Sequence, residues 1–243
     1  MNRLLKSVFA LFFGLTVAFA HAGGLDSISS GDAAAGVKEA LAKGADYAVS
    51  SLGKTNGFMG NPKVKIPLPG YLEKGQSALR MLGMGKQADQ LVETMNHAAE
   101  NAVAEAKPIL VDSIKKMTVS DAKDILTGGD DSVTQFFKRS SSDQLAVKFM
   151  PIVKEQTAKL KLAEQYNKFA GKAASAGLVD KKNADIDSYV THKAMDGLFL
   201  MIAEEEKKIR SNPIGAGSAI LGKVFGDGRP VPDDRRGRKE DSF

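Results

Sequence analysis

The segment that decides the fold runs from Ile186 to Arg210 and reads IDSYVTHKAMDGLFLMIAEEEKKIR. Its apolar residues recur at three- and four-residue spacing, which is the period of an α-helix. The central part, Met195 to Ala203, is apolar on nearly every side except at Asp196. A helix that is apolar all round lies inside a protein, and Gly197 suggests that a second backbone packs closely against it. We therefore predict a buried helix with neighbours on most of its sides.

The same helical spacing continues over residues 23–226, and no stretch alternates apolar and polar residues with a period of two. The sequence therefore predicts a single all-α domain, folded as an irregular helical bundle. Interior prolines predict a kink or a break at Pro108 and at Pro151. Capping boxes predict helix starts at Thr118 (with Asp121) and at Ser141 (with Gln144). The predicted helices span roughly 31–52, 71–82, 86–117, a short segment from Thr118 to Gly128, a second short one after Asp130 or Asp131, and then 141–170, 186–210 and 216–224.

One long segment does not have the helical pattern. Residues 53–70 read GKTNGFMGNPKVKIPLPG, with three prolines and four glycines, so we expect an extended loop. Loops longer than about 12–15 residues are uncommon in compact domains and are often functional. The alternative is a surface strap that lays Phe58, Val64, Ile66 and Leu68 onto the helices. As a binding loop, its candidate residues are Phe58, Ile66, Pro67, Leu68 and Pro69.

The two ends of the chain predict export and a free tail. Residues 1–22 combine Arg3 and Lys6 with an apolar run and small-x-small sites for cleavage after Ala20 or Ala22, which is typical of a signal peptide. No cysteine follows the run, so lipid attachment there is excluded. We expect a periplasmic or secreted protein without a transmembrane segment after cleavage. Residues 227–243 are charged and rich in Gly and Pro, and we expect them to be disordered.

Composition excludes several functional classes. The chain has no Cys, which removes disulfides, thiolate metal sites and cysteine nucleophiles. The net charge is +5 and falls to +3 once the leader is lost. Such a nearly balanced surface is not the basic patch by which proteins bind nucleic acid. We expect neither a nucleic-acid partner nor a cofactor.

The histidines offer one weak candidate for a metal site. Glu93, His97 and Glu100 lie at i, i+4 and i+7, so they share one face of the predicted helix over 86–117. Imidazole and carboxylate groups at that spacing can bind a metal ion. The alternative, which we favour, is a solvated helix face stabilised by local side-chain pairs.

Two acids of the 186–210 helix are predicted to point inward. Asp196 interrupts the apolar stretch, and Glu205 shares the stripe of Leu198 and Ile202, whereas Glu204 and Glu206 point away. A buried carboxylate must be paired, hydrogen-bonded or protonated. Residues 23–226 contain only three arginines, the side chains best suited to pair with a buried carboxylate. We therefore predict that Arg80 or Arg210 pairs with Glu205, Asp196 or Glu100, as a structural network or a functional site.

Several short strings occur together in order: IPLP at 66–69, NHAAE at 96–100, DAKDIL at 121–126 with Gly128, DGLF at 196–199, and EE at 204–205 followed by IR at 209–210 and Pro213. In this order they resemble the exported bacterial proteins of the domain-of-unknown-function 4197 family, over nearly the whole of residues 24–226. The family has no established activity, so the resemblance implies a location and a class of protein but no catalytic residue. It places family-like residues at Asn96, Glu100, Asp121, Asp196, Glu205 and Arg210.

Three functions remain open after these exclusions. The first, which we favour, is non-catalytic binding of a partner protein, an envelope component or a small apolar ligand beside the 53–70 loop. The second is a periplasmic hydrolase that uses Asp196, Glu205 or Glu100 as acid and base, which requires a cleft that collects these carboxylates. The third is an envelope protein with a purely structural or stress-related role.

Overall fold

The computed structural model describes residues 30–74, 76–175, 183 and 185–212. These residues form helices and connecting turns, and none of them lies in a β-strand, so the predicted all-α class is confirmed. The signal peptide (1–22), the helix near 216–224 and the charged tail (227–243) were predicted for residues outside these ranges. The helices are α1 (Ser30–Leu52), α2 (Gly70–Lys74), α3 (Gln76–Met81), α4 (Gly85–Ala104), α5 (Lys107–Lys116), α6 (Val119–Thr127), α7 (Ser132–Thr157), α8 (Lys161–Ser175) and α9 (Ile186–Ser211).

Helix α9 is the central helix, as its sequence predicts. It packs against α1, α4, α7 and α8, and Leu198 and Ile202 are completely buried. The prediction that Asp196 is buried is wrong, because Asp196 is exposed. It shares with His192 and Leu200 a stripe of four-residue spacing, and these three residues lie on a side of α9 that the described helices leave exposed.

The segment between α1 and α2 is not helical, as predicted, and it packs against the helices as a strap. It is less extended than expected, because residues 55–60 and 62–64 form turns. Phe58, Val64, Ile66 and Leu68 are all buried in the hydrophobic core. Asn56 has a positive φ of 63°, a conformation that asparagine adopts more readily than most residues. The loop thus contributes apolar side chains to the core, while part of its backbone is hydrogen-bonded within the loop.

The predictions for Pro108 and Thr118 agree with the structure. Helix α4 ends at Ala104 and α5 begins at Lys107, with Pro108 in the first turn of α5, where a missing N–H costs nothing. Thr118 and Asp121 form a capping box at the start of α6, and Gly128 follows the last residue of that helix.

Helix α7 begins after Asp131, as predicted, but its predicted division at Ser141 is wrong. Ser141 does not begin a helix, because α7 already begins at Ser132, and the Ser141 hydroxyl donates to the carbonyl of Phe137 one turn earlier. A bend or a break was predicted at Pro151, and the break is excluded because the helix continues to Thr157. Pro151 and Val147 are both exposed, so the Val147 carbonyl that loses its usual N–H partner lies on the side of the helix that faces water.

None of the described helices is both long enough and apolar enough to cross a membrane.

Candidate functional site

Glu206 and Arg210 form a buried ion pair near the end of α9. The Arg210 Nη2 and Nε atoms lie 3.0 and 3.1 Å from Glu206 Oε1, and the Glu206 side chain is 2% exposed. Glu206 also accepts hydrogen bonds from the backbone N–H groups of Val133 (2.9 Å) and Thr134 (3.1 Å). The first N–H groups of a helix have no partner within it and carry a partial positive charge. We call Glu206 and Arg210 the α7 anchor, because Glu206 caps the start of α7 and Arg210 holds the Glu206 carboxylate in place.

Arg210 connects this anchor to a third helix. Its Nη2 donates to the carbonyl of Ile125 in α6 (2.9 Å) and to the hydroxyl of Ser132 (2.6 Å). The planar guanidinium group can make these contacts at once, which the ammonium of a lysine cannot reproduce. The anchor therefore fixes α6, α7 and α9 to one another.

The sequence predicted an arginine pair but named the wrong partners. Arg210 pairs with Glu206, whereas Glu205 is partly exposed and pairs with Lys208 at 3.1 Å, a hydrogen bond that raises the pKa of the Lys208 ammonium. Arg80 pairs with Asp89 at the surface, at 3.2 Å. The sequence does contain a signal for the correct pair. Glu206 lies four residues before Arg210, which is the favourable order for an ion pair within a helix.

Asn96 and Glu100 of α4 hold the strap, and we call them the loop anchor. Glu100 is 3% exposed and accepts hydrogen bonds from the backbone N–H groups of Phe58 and Met59 (both 3.0 Å) and of Asn56 (3.2 Å). Asn96 is completely buried; it accepts from the N–H of Ile66 (2.8 Å) and donates to the Ile66 carbonyl (2.9 Å). Both side chains thus satisfy the backbone of the loop.

His97 lies between the two other members of the weak metal candidate. Its Nδ1 is 2.7 Å from Glu100 Oε2, and its Nε2 is 3.8 Å from Glu93 Oε1. Glu100 is the buried member, and its oxygens already accept hydrogen bonds from three backbone N–H groups of the loop. Across the described ranges, no group of three or more His, Asp or Glu is arranged to hold a metal ion.

Asp121 lies apart from both anchors, at the start of α6. Its Oδ2 accepts from the Thr118 N–H (2.9 Å) and hydroxyl (2.7 Å). These hydrogen bonds lower the pKa of Asp121. Asp121 therefore acts as a helix cap in the structure.

The five candidate loop residues divide by exposure. Phe58, Ile66 and Leu68 are buried, Pro69 is buried and Pro67 is exposed. Phe58 lies against Gly197 of α9, where an added Cβ would be 2.6 Å from the ring Cε1. The close approach predicted at Gly197 is real, but the partner is an aromatic side chain rather than a backbone.

An open cleft of about 430 Å³ lies beside the end of the strap. It is within the range of about 300–1,000 Å³ that small-molecule sites occupy. One wall is the first half of α9, and the facing wall is the end of the loop with α2. The lining residues are Pro67, Leu68, Gly70, Glu73, Asn183, Tyr189, His192, Lys193 and Asp196.

Tyr189 forms the rigid part of this cleft. It is 7% exposed, and its hydroxyl donates to the carbonyl of Pro67 at 3.2 Å, which joins α9 to the loop. Burial, reinforced by the negative charge of Glu73 and by Tyr166, raises the pKa of Tyr189 to about 12. The hydroxyl is therefore a neutral donor at physiological pH.

The charged residues of the cleft are exposed. No residue of the described ranges forms an ion pair with Glu73, Lys193 or Asp196. The Lys193 ammonium lies 6.0 Å from the centre of the Tyr189 ring. His192 Nδ1 is 2.7 Å from the Ser188 carbonyl, which leaves its Nε2 available. Glu73, Tyr189 and Lys193 were not singled out as site residues, although Lys193 and Asp196 share a helix face by their spacing.

The polar residues highlighted in the sequence therefore belong to separate places. Glu100 and Arg210 lie in the two anchors, Asp121 in a cap, Arg80 and Glu205 in pairs of their own, and Asp196 in the cleft. Comparison with curated proteins gives no match, and neither does comparison with solved structures. The sequence profile of the family described as "Protein of unknown function (DUF4197)" matches residues 27–226. Because this match covers most of the chain, the protein belongs to that family.

Proposed function

We propose that this protein is a non-catalytic binding protein of the bacterial envelope, and that the cleft beside Tyr189 holds a small ligand. The observation that carries the proposal is that this cleft has exposed charges of both signs, from Glu73, Lys193 and Asp196, with which no described residue forms an ion pair. Exposed charged side chains are normally hydrated and need no other partner. When a few polar groups converge on one concave surface, however, that surface has the usual form of a ligand site. Because these groups are charged, the proposal replaces the apolar ligand expected from the sequence with a polar one.

The separation of the carboxylates supports binding over hydrolysis. The hydrolase hypothesis uses Asp196, Glu205 or Glu100 as acid and base and requires a cleft that collects these carboxylates, but only Asp196 of the three lines the Tyr189 cleft. Glu100 is occupied by loop N–H groups. Glu205 is nine residues further along α9, roughly 13 Å at the helical rise. A general acid and a general base must both reach the substrate, and this set does not provide the pair.

Native mass spectrometry of the protein purified from periplasm tests the proposal. We expect a retained small polar molecule that is released on unfolding and absent from an Asp196→Lys variant, which reverses a charge in the cleft. Asp143→Lys, at an exposed site on α7, is the matched control and should retain the molecule. Equal loads on both variants, or an empty wild-type protein, would contradict the proposal.

The envelope location is a separate part of the proposal. It rests on residues 1–22, whose charged start, apolar run and small-residue cleavage sites have the form of a signal peptide. N-terminal sequencing of the protein recovered from periplasm should begin at His21 or Gly23. Recovery of a chain that begins at Met1, from the cytoplasm only, would contradict this location.

A further inference from the structure

We infer that the ligand of the Tyr189 cleft is a short peptide with both termini free, a dipeptide in the first instance. This inference rests on the proposed function and specifies the chemistry of the ligand. Lys193 and Asp196 are three residues apart on α9 and both line the cleft. A ligand that satisfies both must have a negative group near Lys193 and a positive group near Asp196.

The positions of Lys193 and Asp196 on α9 suit a dipeptide, because the two side chains are neighbours that form no ion pair with each other. Side chains at i and i+3 of a helix are neighbours, with Cβ atoms about 5–6 Å apart. An extended chain spans about 3.3–3.6 Å per residue, so the two termini of a dipeptide lie at a comparable distance. A single α-amino acid has its ammonium and carboxylate on the same carbon, so its two charges lie closer together than those of a dipeptide. It is therefore less suited to contact Lys193 and Asp196 at the same time.

The remaining lining fits the body of such a ligand. The Tyr189 hydroxyl is bound to the Pro67 carbonyl, so the ring presents an apolar surface to the cleft. Glu73 on the facing wall adds a second carboxylate to that of Asp196. The cleft therefore has two carboxylates but only one lysine ammonium among its lining residues. The ammonium end of the peptide is therefore expected to contribute more to binding than the carboxylate end.

Titration of the ¹⁵N-labelled mature chain with a panel of dipeptides tests the inference. The panel is Ala-Ala, Ala-Lys, Ala-Glu and Ala-Phe, each compared with its N-acetylated and C-amidated forms. We expect at least one free dipeptide to shift the backbone resonances of the cleft residues of α9. Blocking either terminus should weaken binding by about threefold to tenfold, the range for partly exposed charged contacts.

Charge-removing variants assign each terminus to its partner. Lys193→Gln should abolish the discrimination against the amidated peptide, and Asp196→Asn the discrimination against the acetylated one. Lys207→Gln and Asp143→Asn, at exposed sites outside the cleft, should preserve both. Retained discrimination in the two cleft variants would overturn the inference.

Single-charge probes separate failure of the inference from failure of the proposed function. If no dipeptide shifts the cleft resonances but ethylammonium or acetate does, the cleft binds a polar ligand that is not a peptide, and only the inference is overturned. If a free amino acid such as alanine binds as tightly as every dipeptide, the dipeptide assignment is overturned as well. If none of the probes shifts these resonances and the periplasmic protein carries no ligand, both proposals are wrong.

Discussion

The ring of Phe58 lies directly on Gly197, so that a Cβ atom at position 197 would be 2.6 Å from the ring Cε1. Real Cβ atoms do not approach other atoms so closely, and both residues are buried. The contact joins the strap to the middle of the central helix. Glycine is therefore required here by the space that Phe58 occupies and not by backbone conformation.

Replacing Gly197 with alanine should destabilise the protein. The added methyl must displace a completely buried ring, and overpacking of this kind costs about 1–3 kcal/mol. Urea unfolding followed by circular dichroism measures the change. Gly44→Ala is the control, since an added Cβ in this α1 residue meets nothing within 4 Å and should stabilise the helix by about 0.5–1 kcal/mol. Equal effects at both positions would contradict the close contact.

A double-mutant cycle identifies Phe58 as the group that is displaced. Phe58→Leu alone should be destabilising, because it leaves a cavity in the core. In combination with Gly197→Ala the loss should be smaller than the sum of the two, because the shorter side chain makes room for the methyl. Additive losses would show that the methyl added at position 197 is resisted by some other group.

Two adjacent glutamates of α9 should respond differently to the same change. Glu206→Gln removes the charge that pairs with Arg210 and caps α7, and breaking a buried pair costs about 3–5 kcal/mol. Glu205→Gln removes a pair with Lys208 at the surface, and such pairs contribute about 0–1 kcal/mol. Thermal unfolding at neutral pH compares the two variants, and similar melting temperatures would contradict the assignment of the anchor to Glu206.

The helices and their ends were largely predictable because they depend on local chemistry. The apolar period located α9 to within a residue at each end, Pro108 marked the break between α4 and α5, and Thr118 with Asp121 marked the start of α6. The start of α7 after Asp131 was predicted, but the helix was divided in two at Ser141 because Ser141 has the residue type of a cap. A cap is needed only where N–H groups are free, and the preceding residues are already helical.

The anchors were less predictable because they depend on the direction of side chains within a wide buried face. Glu205 and Glu206 differ by about 100° around the axis, and α9 has neighbours on so many sides that a helical wheel does not distinguish them. Asp196 was placed inside for the same reason. Glu100 is buried only because the strap lies over it, and no local pattern indicates where a loop of this length will pack.

The two loop-anchor residues should protect different parts of the strap. Glu100→Gln leaves one oxygen to accept the N–H groups of Asn56, Phe58 and Met59, and unsatisfied buried donors cost about 1–3 kcal/mol each. Hydrogen exchange should therefore quicken over Asn56, Phe58 and Met59 more than at Ile66. Asn96→Ala should give the reverse pattern, and Glu93→Gln, at a residue of α4 exposed to solvent, should change neither. Uniform quickening along the strap in both variants would contradict separate anchoring.

Tyr189 should make the folded protein sensitive to alkali. Its pKa is raised from 10.0 to about 12 on folding, mainly by burial. Between these values the unfolded chain releases the Tyr189 proton and the folded protein retains it, so the folded state binds more protons and stability falls as pH rises. Below about pH 10, Tyr189→Phe should be less stable than the wild type by a constant amount, because it lacks the hydrogen bond to Pro67. Above about pH 10, the wild type should lose more stability with rising pH than Tyr189→Phe does, so the difference between them should shrink. Urea midpoints measured from about pH 8 to about pH 11.5 follow this difference, with Tyr47→Phe on the exposed side of α1 as the control. A gap between wild type and Tyr189→Phe that stays constant over the whole range would contradict the buried, protonated hydroxyl in the cleft.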